Sequence, residues 1–166
     1  YIKKGLPTLL QAIEQVPNIH LAVVGDTRHK AVCLAQALAL GIAKRVHFLG
    51  SLKSTEPVYT AADLFIHPTT EDTYGMVVLE AMAHGLPVIV SDKKYCGIAA
   101  ELTPGLEAEI LSNPKDVNQL IRTINEVLSK KSEAASLGFH GRNFAIANNW
   151  EIRARQHNEI FSHIRA

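Results

Sequence analysis

The stretch HPTTEDTYGMVVLEAMAHGLPVIVSD, residues 67–92, decides the fold. It opens at the end of a strand, which Pro68 cuts off, and continues through a polar loop to Gly75. The apolar residues that follow predict a helix over Met76–His84, closed by a glycine, and then a strand over Pro87–Val90. Because a strand, a helix and a second strand follow one another, this stretch predicts one unit of a parallel sheet.

The same alternation extends in both directions from this stretch. Strands are predicted at Ile19–Val24, Val46–Leu49, Leu64–Ile66 and Glu107–Leu111, and helices at Leu6–Gln15, Arg28–Leu40, Glu56–Ala62 and from Asp116 onward. The strands are continuously apolar, which predicts a parallel sheet covered by helices on both faces. With right-handed crossovers the fold class is α/β, a doubly wound Rossmann-like sheet, whose ligands bind outside the carboxyl ends of the strands. No repeat or linker divides residues 1–166, so we predict a single domain.

Composition excludes several classes of protein. The 166 residues are 47% hydrophobic, enough for one packed core, and the net charge of +1 gives no reason to expect nucleic acid as a partner. Cys33 and Cys96 lie far apart, without the spacing of a metal site or a disulfide framework. No apolar run approaches the ~20 residues of a membrane span, and no signal-peptide pattern is present, so we expect a cytoplasmic location.

The chain begins at Tyr1 rather than Met, which predicts a fragment of a longer protein.

The loop before the helix carries two consecutive carboxylates, Glu71 and Asp72. The first amides of the helix, near Gly75, Met76 and Val77, form an anion site with a positive partial charge. Two carboxylates would be redundant as helix caps, although capping is the alternative interpretation. We therefore expect these acids to bind hydroxyl groups beside a bound anion.

A further carboxylate, Glu80, lies inside the otherwise apolar helix. It follows Met76 by about one turn, or ~6 Å along the axis. A carboxylate accepts two hydroxyls at once, which suits the 2′ and 3′ positions of a ribose. The spacing from Asp72 leaves room for a sugar at one end, a ribose at the other and a diphosphate between them. A solvated helix carboxylate is the alternative, which the apolar neighbours Leu79 and Ala81 disfavour.

From Tyr74 to Ile89 the chain resembles the E-x7-E signature of group 1 (family 4) retaining glycosyltransferases, which adopt the GT-B fold. The family pattern is roughly E-x-[FY]-G-[LM]-V-x-L-E-A-M-A-x-G-x-P-V-I. This chain departs from the family pattern at the first acid, where Asp72 replaces Glu and sets the carboxylate ~1.5 Å further back. Other segments also resemble the family: Lys3-Lys4-Gly5, Val23–Asp26, Val46–Gly50 and Ala62–Pro68. Tyr95–Ala99 resembles a loop of bacterial lipopolysaccharide-core glucosyltransferases.

The resemblance implies that the chain is the C-terminal, donor-binding domain of a GT-B enzyme. Such an enzyme transfers a sugar from a nucleoside-diphosphate sugar to a glycan or lipid-linked acceptor and retains the anomeric configuration. The missing N-terminal domain binds the acceptor, peripheral contact with the inner face of a membrane belongs to the full-length protein, and the fragment alone is expected to be inactive.

The resemblance also assigns roles to individual residues. Asp72 and Lys4 are the catalytic candidates, since Asp72 would bind the donor sugar and Lys4 the diphosphate. The remaining donor-binding candidates are Lys3, Gly25, Phe48, Tyr74, Gly75, Met76, Val77 and Glu80. Neither a metal nor another cofactor is expected, because a fixed cation and a helix N-terminus stabilise a departing diphosphate.

Two other functions remain open from the sequence. One is a sugar-nucleotide epimerase or hydrolase on the same scaffold, which needs acid and base groups beside the sugar. The other is a non-catalytic nucleotide-binding module. His67 and His84, which could supply acid–base chemistry, are predicted to be structural because they lie at a strand end and in the last turn of a helix.

Overall fold

The computed structural model describes residues 3–26 and 28–164, so Tyr1 lies outside the described residues. Its strands are β1 (Leu21–Val24), β2 (Val46–Gly50), β3 (Phe65–His67), β4 (Val88–Ser91) and β5 (Glu109–Leu111). Its helices are α1 (Leu6–Gln15), α2 (Lys30–Ala39), α3 (Glu56–Ala61), α4 (Met76–Ala83), α5 (Val117–Ser129), α6 (Lys131–Ala147) and α7 (Trp150–Ile164). Two short 3₁₀ helices, Ala43–Arg45 and Gly97–Ala100, were not predicted. Across the described ranges, every helix is too short or too polar to cross a bilayer.

All strand pairs are parallel. β1 pairs with β2, and β4 lies between β3 and β5. Because the strands of a parallel ladder point the same way, the loops that leave β3 and β4 emerge at one edge. The loop after β3 carries Glu71 and Asp72, so this edge is where the predicted site lies.

The central strand β4 is buried on both of its faces. Ile89 packs into a core built from apolar residues of α1, α2 and α5. Val88 and Val90 point the other way, into a second core with residues of α4 and α6. Side chains of a strand alternate between the two faces of a sheet, so helices cover both faces. The predicted α/β class is confirmed.

The start of the described chain is fixed against the loop that follows β3. The Lys3 carbonyl accepts hydrogen bonds from the Thr70 amide at 2.8 Å and the Thr69 hydroxyl at 2.9 Å. Gly5 has a left-handed φ of 74° and lies so close to Pro68 that a Cβ would meet the Pro68 carbonyl oxygen at 1.8 Å. Only glycine permits this approach, which brings the two lysines that precede it to the site.

We expect Gly5→Ala to reduce the free energy of unfolding by about 2–4 kcal/mol, because a left-handed alanine costs about 1–2 kcal/mol and a backbone clash adds a similar amount. Gly105→Ala is the matched control, since its φ is 75° but nothing lies within 4 Å of its Cβ position. Urea denaturation of both variants measures the difference. Equal losses would show that the chain start does not pack against Pro68.

Candidate functional site

A single carboxylate lies at the centre of the site. Oδ2 of Asp72 accepts a hydrogen bond from Lys4 Nζ at 2.5 Å and forms a second one with His67 Nε2 at 2.8 Å. Partial burial acts to raise the pKa of Asp72, but the hydrogen bonds and charges of Lys4 and His67 outweigh it and hold that pKa below its ordinary value. Asp72 is therefore an ionised hydrogen-bond acceptor at neutral pH.

His67, predicted to be structural, contacts this carboxylate directly. It is the last residue of β3, and its side chain is 8% exposed. Burial lowers its pKa, and the opposing effect of Asp72 does not restore the ordinary value. The imidazole is therefore neutral at pH 7. Since a carboxylate only accepts hydrogen bonds, Nε2 carries the proton of the imidazole and donates a hydrogen bond to Asp72.

The loop that leaves β4 forms a second wall behind Asp72. The Asp72 amide donates to the Tyr95 carbonyl at 2.8 Å, the Gly97 amide donates to the Asp72 carbonyl at 3.3 Å, and Asp72 forms a parallel bridge with Cys96. The Cys96 thiol is buried and donates to the Tyr74 carbonyl at 3.4 Å. Burial, together with the charge of Asp72, raises the pKa of Cys96 to about 11, so the group is a thiol.

Helix α4 begins beside this wall without a side-chain cap. Gly75 has a φ of 95°, and a Cβ there would meet the Cys96 sulfur at 2.6 Å. No side chain of the described residues caps α4, whereas Asp116 caps α5 by accepting from the Gln119 amide at 2.9 Å. The amides of Met76 and Val77 belong to the first turn, so no residue of the same helix accepts from them. They are available to an anion.

Glu80, one turn further along α4, is oriented by a buried tyrosine. The hydroxyl of Tyr59, in α3, donates to Oε2 of Glu80 at 3.0 Å. Burial, and then the charge of Glu80, raise the pKa of Tyr59 above its ordinary value, so the phenol remains a donor. His84 stacks on the Tyr59 ring at 5.0 Å between centroids. Glu80 is itself exposed, so the expectation that its apolar neighbours keep it from solvent is wrong.

Tyr74 connects the loop to the C-terminal helix. Its carbonyl accepts from the Ile98 amide at 2.7 Å. Burial and the neighbouring Glu101 raise the pKa of its phenol. Glu101 in turn pairs with Arg153 of α7 at 2.7 Å.

The remaining candidate residues lie either near Asp72 or on the β1–β2 ladder. Lys3 and Glu71 form an exposed ion pair at 2.7 Å, a kind of contact that contributes little to stability. Gly25, with a φ of 122°, follows β1, and Phe48 lies in β2 with the Lys30 ammonium 5.9 Å from its ring centroid. The structure therefore groups Lys4 and Asp72 with the start of α4, and places Gly25 and Phe48 on the β1–β2 ladder.

Sequence reasoning missed three contributors, Tyr59, His67 and Cys96. His67 carried a usable signal, because it ends a strand at the edge where parallel sheets bind ligands. Tyr59 carried none, since it acts on a residue more than twenty positions away in the chain. Cys96 lies in the Tyr95–Ala99 segment that resembles a family loop, but its contact with Tyr74, also more than twenty positions away, has no local signal.

Comparisons with known proteins give one consistent result. Residues 1–130 match the family profile described as glycosyl transferases group 1. The lipopolysaccharide glucosyltransferase WaaG of Escherichia coli (strain K12) is 28% identical over 149 residues, which cover 86% of this chain and 39% of that protein. This chain covers 26%, 39% and 40% of the lengths of three curated relatives, WaaG among them. It therefore spans less than half of such a protein.

Solved structures have the same architecture. Sucrose-phosphate synthase from Thermosynechococcus elongatus superposes with a TM-score of 0.90 at 28% identity, covering 99% of this chain and 43% of that one. HepE from Anabaena, in complex with UDP-glucose, superposes with a TM-score of 0.87 at 24% identity, over 98% of this chain and 46% of that one. The second likeness shows the fold alone.

We expect Gly75→Ala and Cys96→Ala to be coupled. Each alone destabilises the protein, the first through a left-handed alanine that meets the Cys96 sulfur, the second through a buried cavity. In the double variant the sulfur is gone, so the loss of unfolding free energy should be smaller than the sum by about 1 kcal/mol. A double-mutant cycle from urea denaturation measures this coupling, and strict additivity would contradict the contact.

Proposed function

Because this chain belongs to the group 1 glycosyl transferases, we propose that it forms the donor-binding domain of a sugar-transferring enzyme. Residues 1–166 bind a nucleoside-diphosphate sugar, and a further domain of the whole protein binds the acceptor. The observation that carries the proposal is the carboxylate of Asp72, paired with Lys4 in front of the uncapped start of α4.

The diphosphate binds at the start of α4. The amides around Gly75, Met76 and Val77 present free donors and the positive end of the helix dipole. Lys4 is 48% exposed at its side chain and has three ammonium hydrogens, so it can contact a phosphate oxygen while it remains paired with Asp72. Lys3 supplies a second positive charge beside it.

The ribose binds to Glu80. One oxygen of this carboxylate is held by the Tyr59 hydroxyl, which fixes the plane of the group. The other oxygen and the remaining lone pairs accept hydrogen bonds from the 2′ and 3′ hydroxyls. The base then lies toward the β1–β2 ladder, near Gly25 and the backbone of Phe48.

The donor sugar binds to Asp72. This carboxylate is ionised and only accepts hydrogen bonds, which suits sugar hydroxyls. The support from Lys4 and His67 keeps its orientation fixed although the side chain is one methylene shorter than the glutamate of the family pattern. Asp72 and Glu80 therefore take the two ends of the donor.

The chemistry follows from the leaving group. When the bond between the sugar and the diphosphate breaks, negative charge develops on the phosphate oxygens, and Lys4 with the α4 amides stabilises it without a metal ion. The sugar develops the positive charge of an oxocarbenium-like state beside the Asp72 carboxylate. The acceptor hydroxyl enters on the face that the diphosphate leaves, so the anomeric configuration is retained.

The acceptor is a glycan or a lipid-linked glycan. Support comes from the similarity to WaaG, which is named for lipopolysaccharide. An acceptor of this class places the whole enzyme on the cytoplasmic side of a membrane, with membrane contact made by the acceptor domain. No nucleic acid is involved.

The direct test is calorimetry of the chain with UDP, GDP and ADP. We expect one of them to bind, and we expect no sugar transfer by this chain alone, because the acceptor domain is needed. A folded chain that binds none of the three would overturn the proposal. Hydrolysis or epimerisation of a nucleotide sugar by the chain alone would replace it with one of the alternative enzymes.

Glu80→Ala tests the ribose contact with whichever nucleotide binds. The unmodified chain should prefer the ribonucleotide over its 2′-deoxy analogue by about 10-fold, the effect of one hydrogen bond to a charged group. The variant should bind the ribonucleotide about 10–100-fold more weakly and lose that preference. Glu56→Ala, an exposed glutamate in α3, is the control and should change neither value. An unchanged preference in Glu80→Ala would exclude the assigned role.

A further inference from the structure

Three different kinds of metal ligand meet behind the proposed sugar position. A ring nitrogen of His67, a carboxylate oxygen of Asp72 and the Sγ atom of Cys96 all lie within 4.8 Å of one another. They come from the end of β3, the loop before α4 and the loop after β4, so the fold itself brings them together.

We propose that His67, Asp72 and Cys96 form a binding site for a borderline-soft divalent cation, Zn²⁺ or Cd²⁺, and that a bound cation excludes the donor sugar. The ligand set determines the class of ion. One nitrogen, one oxygen and one sulfur ligand suit zinc, whereas magnesium and calcium take oxygen ligands. The cation is an inhibitor in this role, so the transfer chemistry itself still needs no metal.

The distances fit such an ion with small movements. Zinc bonds of about 2.0–2.3 Å in a tetrahedral site hold the ligand atoms roughly 3.3–3.8 Å apart. The contact between His67 and Asp72, now 2.8 Å, has to widen slightly, and the thiol of Cys96 has to turn from the Tyr74 carbonyl toward the other two groups. The parallel bridge between Asp72 and Cys96 already holds two of the three backbones side by side.

The site is enclosed on the protein side and open on the other. The side chain of His67 is 8% exposed and Cys96 is fully buried, whereas the side chain of Asp72 is 16% exposed. The fourth position of a tetrahedral ion therefore faces the side where Asp72 meets Lys4, and a water molecule completes the coordination there. That is the space in which the donor sugar is proposed to lie.

Binding requires defined protonation states. Cys96 binds as a thiolate, so its proton passes to the buffer, and a coordinating cation removes that proton even from a thiol buried in apolar surroundings. His67 is neutral and moves its single proton from Nε2 to Nδ1, which frees the nitrogen that faces Asp72. The Asp72 carboxylate needs no change.

Lys4 is the competitor. Its ammonium already occupies Oδ2 of Asp72 at 2.5 Å, and a divalent cation cannot share that oxygen with it at short range. The lysine therefore weakens metal binding, and its removal should strengthen it. This dependence separates the proposed site from a surface site elsewhere, which would not respond to Lys4.

The test is a titration of the chain with Zn²⁺ by calorimetry, and with Cd²⁺ by the ultraviolet charge-transfer band of a cadmium–thiolate bond. The exposed pair His20 and His47, 3.0 Å apart, is an alternative cation site, so all variants carry His20→Asn. We expect one ion per chain and a charge-transfer band. Cys96→Ser should abolish the band and weaken Zn²⁺ binding about 100-fold. The loss of a direct ligand should cost at least as much as the loss of a residue that only supports a ligand, which is about 10–100-fold. Cys33→Ser, the matched change at the other buried cysteine, should alter neither.

Lys4→Ala is the second variant, and it does not disturb the buried residues. It should bind Zn²⁺ more tightly by about 10-fold, the effect of removing one charged hydrogen bond from Asp72. A band and a Zn²⁺ affinity that are unchanged in Cys96→Ser would overturn the site. A Zn²⁺ affinity unchanged in Lys4→Ala would also overturn it, and so would a band that disappears with Cys33→Ser.

The exclusion of the donor sugar by the cation rests on the proposed function. A failure of the exclusion can be distinguished from a failure of the proposed function. Zinc affinity is measured first without nucleotide, so an error in the donor assignment leaves that result intact. A saturating nucleoside-diphosphate sugar should then lower the apparent Zn²⁺ affinity in proportion to its own occupancy. An unchanged affinity at full occupancy by the sugar nucleotide would overturn the exclusion, whereas failure of the nucleotide to bind would overturn the proposed function and not the cation site.

Discussion

One oxygen atom, Oδ2 of Asp72, joins the start of the described chain, 68 residues away in the sequence, to the end of β3 and the loop that follows it. The hydrogen bond from Lys4 ties the loop before α4 to the start of the described chain, and the one from His67 ties it to the end of β3. A partly buried carboxylate loses hydration, and two donors on one oxygen compensate for that loss. The arrangement depends in turn on Gly5, since the lysine reaches Asp72 only because the backbone can pass so close to Pro68.

The two acids of the site are supported independently of each other. Asp72 is fixed by Lys4 and His67 in the loop before α4, and Glu80 is fixed by Tyr59 about one turn into the helix. Both supports come from elements other than α4 itself, so the distance between the acids is set by the packing of the helix on the sheet. On the proposed assignment, a donor that spans them would meet groups already oriented, which would lower the entropy lost on binding.

The order of elements could be predicted because it is written in local patterns. Continuous apolar runs gave the strands, glycines and Pro68 gave the ends, and each predicted boundary lies within two residues of the observed one. Asp72 and Glu80 were also found locally, by their positions around the start of one helix. Lys4, which orients Asp72, was found through the resemblance to the family. The contacts of Tyr59 and Cys96 were not found, because they depend on how separate segments pack, which no periodicity records. The exposure of Glu80 was mispredicted for the same reason: apolar neighbours in sequence do not define which face a helix buries.

The most direct test of a donor site at the start of α4 is an NMR titration of the ¹⁵N-labelled chain with UDP-glucose, GDP-mannose and ADP-glucose. With the one that binds, the amides of Gly75, Met76 and Val77 should show the largest shifts, because they would donate to the phosphate and sugar oxygens, and the Lys4 ammonium should shift with them. Saturable binding that leaves these three amides unmoved would contradict a donor site at the start of α4.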